Sequence, residues 1–103
     1  MEVNVTFRHA EASGVLRDHI NDKIKKLTKY FIKPTSAHII LNVEGSRHIA
    51  EITLSENHSL FNAREGSHDM YLSGDRAVSK LERQLKKYKE KIKDHHKRPK
   101  RIL

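Results

Sequence analysis

The sequence predicts an α+β fold of order β-α-β-β-β-α, with one four-stranded mixed sheet and two helices packed on one face. Two observations predict it. Apolar residues recur at every second position in four segments and at every third or fourth in two others. Three of the alternating segments follow one another with short polar links, which is the pattern of an antiparallel meander.

The first strand lies in Glu2 to Phe7, where Val3, Val5 and Phe7 share one side and Glu2, Asn4 and Thr6 the other. From Gly14 the period lengthens. Leu16, Ile20, Ile24, Leu27 and Phe31 make the stripe of an amphipathic helix, with Ser13 placed as N-cap and an end near Tyr30 or Phe31. Pro34 forbids continuation and biases Lys33 toward extended geometry. Ala37, Ile39, Leu41 and Val43 then alternate up to the turn signal Glu44-Gly45-Ser46, and His48, Ala50, Ile52 and Leu54 alternate after it. The polar run SENHS turns the chain into a shorter fourth strand, Leu60 to Glu65, which Gly66 and Ser67 are expected to break. The second helix begins around Asp69, whose carboxylate suits the positive end of a helix dipole. Its stripe is Val78, Leu81, Leu85, Tyr88 and Ile92, and Pro99 lies beyond its expected end. With 103 residues and no internal repeat, we expect one domain over residues 1–95 and a basic flexible tail over 96–103.

Charge is distributed unevenly along this frame. Lys80 to Arg101 holds eleven Lys or Arg and three acidic residues, whereas the remainder of the chain is balanced, so the whole net charge of +8 sits near one end. On a wheel of about 100° per residue the apolar stripe of the second helix covers roughly 80°. Lys86, Lys89 and Lys93 lie on one flank, Lys80, Lys87 and Lys91 on the other, and Arg83 opposite the stripe. A solvated helix face would balance its charges through i,i+4 pairs such as Glu82 with Lys86. Here cations exceed acids, and like charges at that spacing repel, so an anionic partner is implied, with nucleic acid favoured. Lys23, Lys25, Lys26 and Lys29 on the first helix add to this, and Lys23 and Lys26 would join the same surface if both helices cover one face.

Other function classes lack their residues. There is no cysteine for a disulfide or thiolate site, no signal-peptide pattern at the N-terminus and no apolar run near bilayer length, so we expect a soluble, cytoplasmic protein. The eight histidines are scattered, without HExxH or comparable ligand spacing, and there is no glycine-rich phosphate loop. His95 and His96 suit the negative end of a helix. We expect no enzyme, no metal, no cofactor and no small-molecule substrate. Few aromatics fall off the apolar periods, Tyr30 and Tyr71 being the candidates for base stacking. A membrane or protein partner for the basic helix remains a separate reading, disfavoured because its narrow stripe is needed to cover the sheet.

Asp69-Met70-Tyr71, followed by Asp75, Val78 and KLERQLKKYKEKIK from Lys80, closely resembles the ribosome hibernation-promoting factor and ribosome-associated inhibitor family, and the order of elements agrees along nearly all of residues 1–95. The resemblance implies a factor that lodges in the small ribosomal subunit, in the channel used by messenger RNA and the decoding ends of transfer RNAs. It implies inhibition of translation in stressed or stationary bacterial cells. Lys80, Arg83 and Lys87, with Lys23 and Lys26, match the family's RNA-facing positions, and charge and position add Lys86, Lys91 and Arg8. The expected partner is the small subunit, through ribosomal RNA and ribosomal proteins, and the protein itself is expected to be monomeric. The alternative is a general structured-RNA-binding protein without ribosome preference. Two departures from the family pattern stand out. LSGD at Leu72 to Asp75 replaces a helix-favouring AAID, so Gly74 is expected to loosen the first turns by up to about 1 kcal/mol. The chain also stops soon after the second helix, with a basic tail, as expected of a short form without the C-terminal domain that pairs two ribosomes.

Overall fold

The alternation seen in the sequence becomes β1 (Glu2–Arg8), β2 (Thr35–Glu44), β3 (Arg47–Glu56) and β4 (Ser59–Ser67). The two stripes become α1 (Gly14–Lys25), extended by a 3-10 segment at Lys26–Tyr30, and α2 (Met70–Lys97). The computed structural model describes residues 1–31, 35–56 and 59–97, the side chains of 92–97 excepted. The expected roles of Pro34, His58, Ile92, His95, His96 and Pro99 therefore lie outside what is described.

The sheet order is β1-β2-β3-β4, with β1 parallel to β2 and the other two pairings antiparallel. The helical crossover between β1 and β2 is what a parallel pair requires, whereas Gly45 and Ser46 suffice to reverse β2 into β3. Gly45 has φ 62°, the left-handed geometry that a two-residue hairpin loop needs at this position. Each strand sends alternate residues to a single core. Ala37, Ile39, Leu41, Ala50, Ile52, Leu54, Phe61 and Ala63 meet Leu16, Ile20, Ile24 and Leu27 of the α1 segment and Ala77, Val78, Leu81 and Leu85 of α2. Both helices thus cover one face, as the sequence predicts, and the other face carries no helix, although Ile49 on that side is buried.

Helix starts follow the caps. The Ser13 hydroxyl accepts the Leu16 N–H at 3.2 Å, and the Asp69 carboxylate accepts the Leu72 N–H at 3.2 Å. Ser73, fully buried, donates to the His48 carbonyl at 2.6 Å and lies 2.7 Å from the Ser67 hydroxyl, joining α2 to the ends of β3 and β4. The end of α1 differs from expectation. Regular helix stops at Lys25 and tightens to 3-10 through Tyr30, with the Thr28 hydroxyl donating to the Lys25 carbonyl at 2.8 Å. Tightening the last turn satisfies carbonyls that a helix end leaves open.

Gly66 and Ser67 do not break the fourth strand. They pair with Ile49 and His48, and a Cβ on Gly66 would fall 2.6 to 2.8 Å from the Arg47 guanidinium, which lies across it. The glycine marks a close approach within the sheet rather than a turn. Gly74 carries the same lesson: it is buried, and a Cβ there would sit 3.0 Å from Ile20 Cδ1. Its loss of helix propensity accompanies close packing of α2 on α1.

Candidate nucleic-acid interface

Topology fixes which way the cations face. β1, β2 and β4 run alike, so α1, which follows β1, and α2, which follows β4, run alike too. Contacts advance in step along both: His19 Nε2 lies 2.8 Å from Asp75 Oδ1, and farther on the Tyr30 hydroxyl donates to Glu82 Oε2 at 3.0 Å. Beyond the groove between the helices, α2 packs over β3 and β4. Gln84 donates to the Asn62 carbonyl at 2.8 Å, and Lys80 Nζ lies 3.4 Å from Glu65 Oε2, so α2 also shields the outer edge of β4.

The stripe from Met70 through Ala77, Leu81 and Leu85 is buried, while Arg76, Ser79, Lys80, Arg83, Lys86, Lys87, Lys89, Glu90 and Lys91 are exposed. Arg76, Lys80, Arg83, Lys87 and Lys91 follow at steps of four, three, four and four, one row along about 22 Å of helix. Lys80 is partly compensated by Glu65. Both side chains are about a third to a half exposed, so solvent screens that pair. Arg76, Arg83, Lys86, Lys87 and Lys91 make no ion pair with any described residue.

The expected pairing of Glu82 with Lys86 does not form. Glu82 instead meets Lys29 at 3.7 Å and the Tyr30 hydroxyl, across to the 3-10 segment. Burial, and then the bond to Glu82 and the charge of that carboxylate, push the Tyr30 phenol above its ordinary value. An acid of α2 is thereby spent on holding the helices together and leaves Lys86 uncompensated by it. Lys23, half-buried, and Lys26, exposed, follow His19 on the flank of α1 that faces α2, so they and Lys86 border the inter-helix groove.

Arg8 is not brought to this surface. Alternation with Val3, Val5 and Phe7 turns it to the uncovered face, and β1 is the edge strand farthest from β4. That face is balanced: Arg8, Arg47 and Arg64 share it with Glu2, Glu44 and Glu51, and Arg64 stands opposite Glu51 in the β3–β4 register. Sequence reasoning missed Arg76. Counting back by four from Lys80 would have found it.

A one-sided fold with its excess charge in one helical row matches a known group of proteins. The family model described as Sigma 54 modulation protein / S30EA ribosomal protein matches residues 3–93. The chain belongs to this family. It is 35% identical over 95 residues to the ribosome hibernation promoting factors of Salmonella typhimurium and Escherichia coli K12, covering 92% of this chain and 100% of each of those proteins. It is similar in structure to the Thermus thermophilus Protein Y N-terminal domain, with TM-score 0.79 and 28% identity over 85% of this chain and 99% of that one. A ribosomal subunit interface protein from Coxiella burnetii gives TM-score 0.76 and 29% identity over 87% of this chain and 99% of its own. The family match takes in all four strands, α1 and the whole cationic row of α2. Among the described residues no helix is long and apolar enough to cross a membrane, and no group of three or more His, Asp or Glu is placed to hold a metal ion.

Proposed function

We propose that the chain is a cytoplasmic ribosome hibernation factor that binds the small ribosomal subunit in the channel of messenger RNA and the decoding ends of transfer RNAs. Bound there it inhibits translation under stress or in stationary phase. The observation that carries this reading is the row on α2, whose cations, apart from the screened Lys80–Glu65 pair, meet no described acid. The names of the hibernation promoting factors and of the subunit interface protein support a ribosomal partner.

The mechanism is occlusion, without chemistry. Lys80, Arg83, Lys87 and Lys91 neutralise phosphates of ribosomal RNA along α2, and Arg76 extends the row by a turn. Lys86, Lys23 and Lys26 add contacts from the inter-helix groove, while the folded body fills space that messenger and transfer RNA need. Arg8, on the other face, is a separate and lesser contact. Recognition is by shape and backbone, because a folded RNA offers phosphates and 2′-hydroxyls more readily than its deep groove. The protein acts as a monomer.

Co-sedimentation with purified small subunits tests the proposal. Binding is expected at low salt, with roughly 10³–10⁵ lost between about 50 and 200 mM if some 6–10 phosphates are engaged, by analogy with duplex DNA. No co-sedimentation at low salt would overturn it. Equal affinity for bulk structured RNA would overturn the ribosomal preference and leave only RNA binding.

A further inference from the structure

Tyr71 is exposed at 38%, and among the described aromatic side chains it is the one whose surroundings leave it for a ligand. The others are engaged. The Tyr30 hydroxyl is bonded to Glu82 while Lys29 Nζ stands 5.4 Å from its ring centre. Tyr88 bonds Ser59 at 3.0 Å and packs edge-on to Phe61, and the Arg17 guanidinium lies 5.4 Å from the ring of Phe7. Tyr71 sits in the first turn of α2, at the end of the inter-helix groove. Its ring meets His19 of α1 edge-on, with centroids 5.1 Å apart at 72°.

That neighbour is itself fixed. With Asp75 ionised, His19 must donate its Nε2–H to Oδ1, at 2.8 Å, and Asp75 is one turn along α2 from Tyr71. The three side chains form a clasp in which Asp75 faces the imidazole and the imidazole meets the phenol ring edge-on, as Glu82 farther along the groove faces Lys29 and Tyr30. Lys23, one turn beyond His19, and Lys86 continue the same groove as cations. An ordered, exposed aromatic at the end of a cation-lined groove is the arrangement that pairs base stacking with backbone neutralisation.

We infer that Tyr71, braced by His19 and Asp75, is a stacking platform for one unpaired nucleobase of the RNA whose backbone the cations hold. The inference rests on the RNA reading proposed above. A folded RNA presents such bases at loops and bulges, where they can leave the stack and lie on an aromatic ring. One base adds an anchor at a fixed point, whereas phosphate contacts alone allow sliding along the strand.

The test compares Tyr71→Phe, Tyr71→Leu, Tyr71→Ala and Arg83→Ala on small subunits and on a hairpin RNA with a single-stranded loop. The Leu variant keeps an apolar side chain against His19 without a π-face, and thermal unfolding is followed for each. Expected are near-unchanged binding for the Phe variant and about 5- to 150-fold weaker binding for the Leu and Ala variants, the range that loss of one base stack corresponds to. A loop carrying 5-iodouridine is expected to photo-crosslink to Tyr71. Leu and Ala variants that bind like the parent while Arg83→Ala weakens binding would overturn the platform and leave the RNA reading intact. Parent-like binding by all four variants would overturn both.

Discussion

Replacing Arg76, Lys80, Arg83 and Lys87 together with Ala should weaken RNA binding and raise stability, a combination that a structural role for the row cannot produce. All four are exposed on α2. With Lys91 they make four like-charged neighbours at three or four residues' spacing, and each such pair costs roughly 0.2–0.5 kcal/mol on a helix surface. Relief of about 1–2 kcal/mol is offset by loss of the screened Lys80–Glu65 pair, worth about 0–1 kcal/mol. The net gain of about 0–2 kcal/mol corresponds to a Tm that is held or raised by up to about 8–16 °C, at about 4–8 °C per kcal/mol for a domain of this size. Binding should change in the opposite sense. Each phosphate contact contributes about 0.7–0.9 to the slope of log K against log salt, so four lost contacts flatten it by about 3. Fluorescence anisotropy with labelled RNA between about 50 and 200 mM salt measures the slope, and calorimetry the Tm. A control with Arg8, Arg47 and Arg64 replaced by Ala should leave the slope within about 1 of the parent. An unchanged slope for the α2 variant, or an equal flattening for the control, would refute the assignment of RNA to the helical face.

Three further outcomes test the frame that presents this face. Ser73→Ala takes the hydroxyl donor from the His48 carbonyl at a buried junction, while the Ser67 hydroxyl keeps its bonds to Asp69, and should cost about 1–3 kcal/mol in urea unfolding with an unchanged m-value. Gly74→Ala sets a gain in helix propensity of about 0.8–1.0 kcal/mol against a 3.0 Å approach to the flexible end of Ile20, so stability should stay within about 1 kcal/mol, whereas Gly74→Leu overpacks the helix junction and should cost about 1–3 kcal/mol. The Tyr30 phenol is held above its ordinary value, so its contribution is complete below the unfolded-state pKa of about 10 and is lost as pH rises through the higher folded value. Stability measured from pH 9 to 11.5 should therefore fall more steeply for the parent than for Tyr30→Phe.

The strands and the α2 stripe were legible because burial of one face imposes a period, which Ala37, Ile39 and Leu41 obey, as do Ala50, Ile52 and Leu54 in β3, where Ile49 is buried on the opposite parity. The departures arise where a residue's role depends on what crosses it in space. Gly66 looks like a breaker in sequence, yet it pairs with Ile49, and the Arg47 side chain lying over it leaves no room for a Cβ. Glu82 has a suitable partner four residues on in Lys86, yet Lys29 and Tyr30, more than fifty residues earlier in the chain, take it. Arg8 has the right charge, but its place depends on strand order and on which parity faces the helices. Arg76 stands apart from the basic run that begins at Lys80, and only the helical step of four puts it on the same row.

These displacements share a physical logic that bears on how a small domain carries so much charge of one sign. Glu82 is drawn across to Lys29 and Tyr30, Asp75 to His19, and Glu65 to the β4 side of Lys80. Each of these acids joins α2 to another element, so each stabilises the packing while leaving the outer arc of the helix cationic. The narrow buried stripe makes that arc wide, and the small residues Ser73, Gly74 and Ala77 let α2 sit close enough for its short stripe to suffice. Exchanging an acid of α2 with an exposed lysine of the same helix would keep the net charge at +8 and change only where the cations stand, which separates charge arrangement from charge amount. A Glu82→Lys, Lys86→Glu double variant is the smallest such exchange. It should lose the bonds of Glu82 to Tyr30 and Lys29, place an acid one turn farther along α2, and weaken RNA binding although its net charge is that of the parent. Parent-like affinity for this variant would remove the Lys86 side of the groove from the RNA contact, since the row from Arg76 to Lys91 is untouched by the exchange.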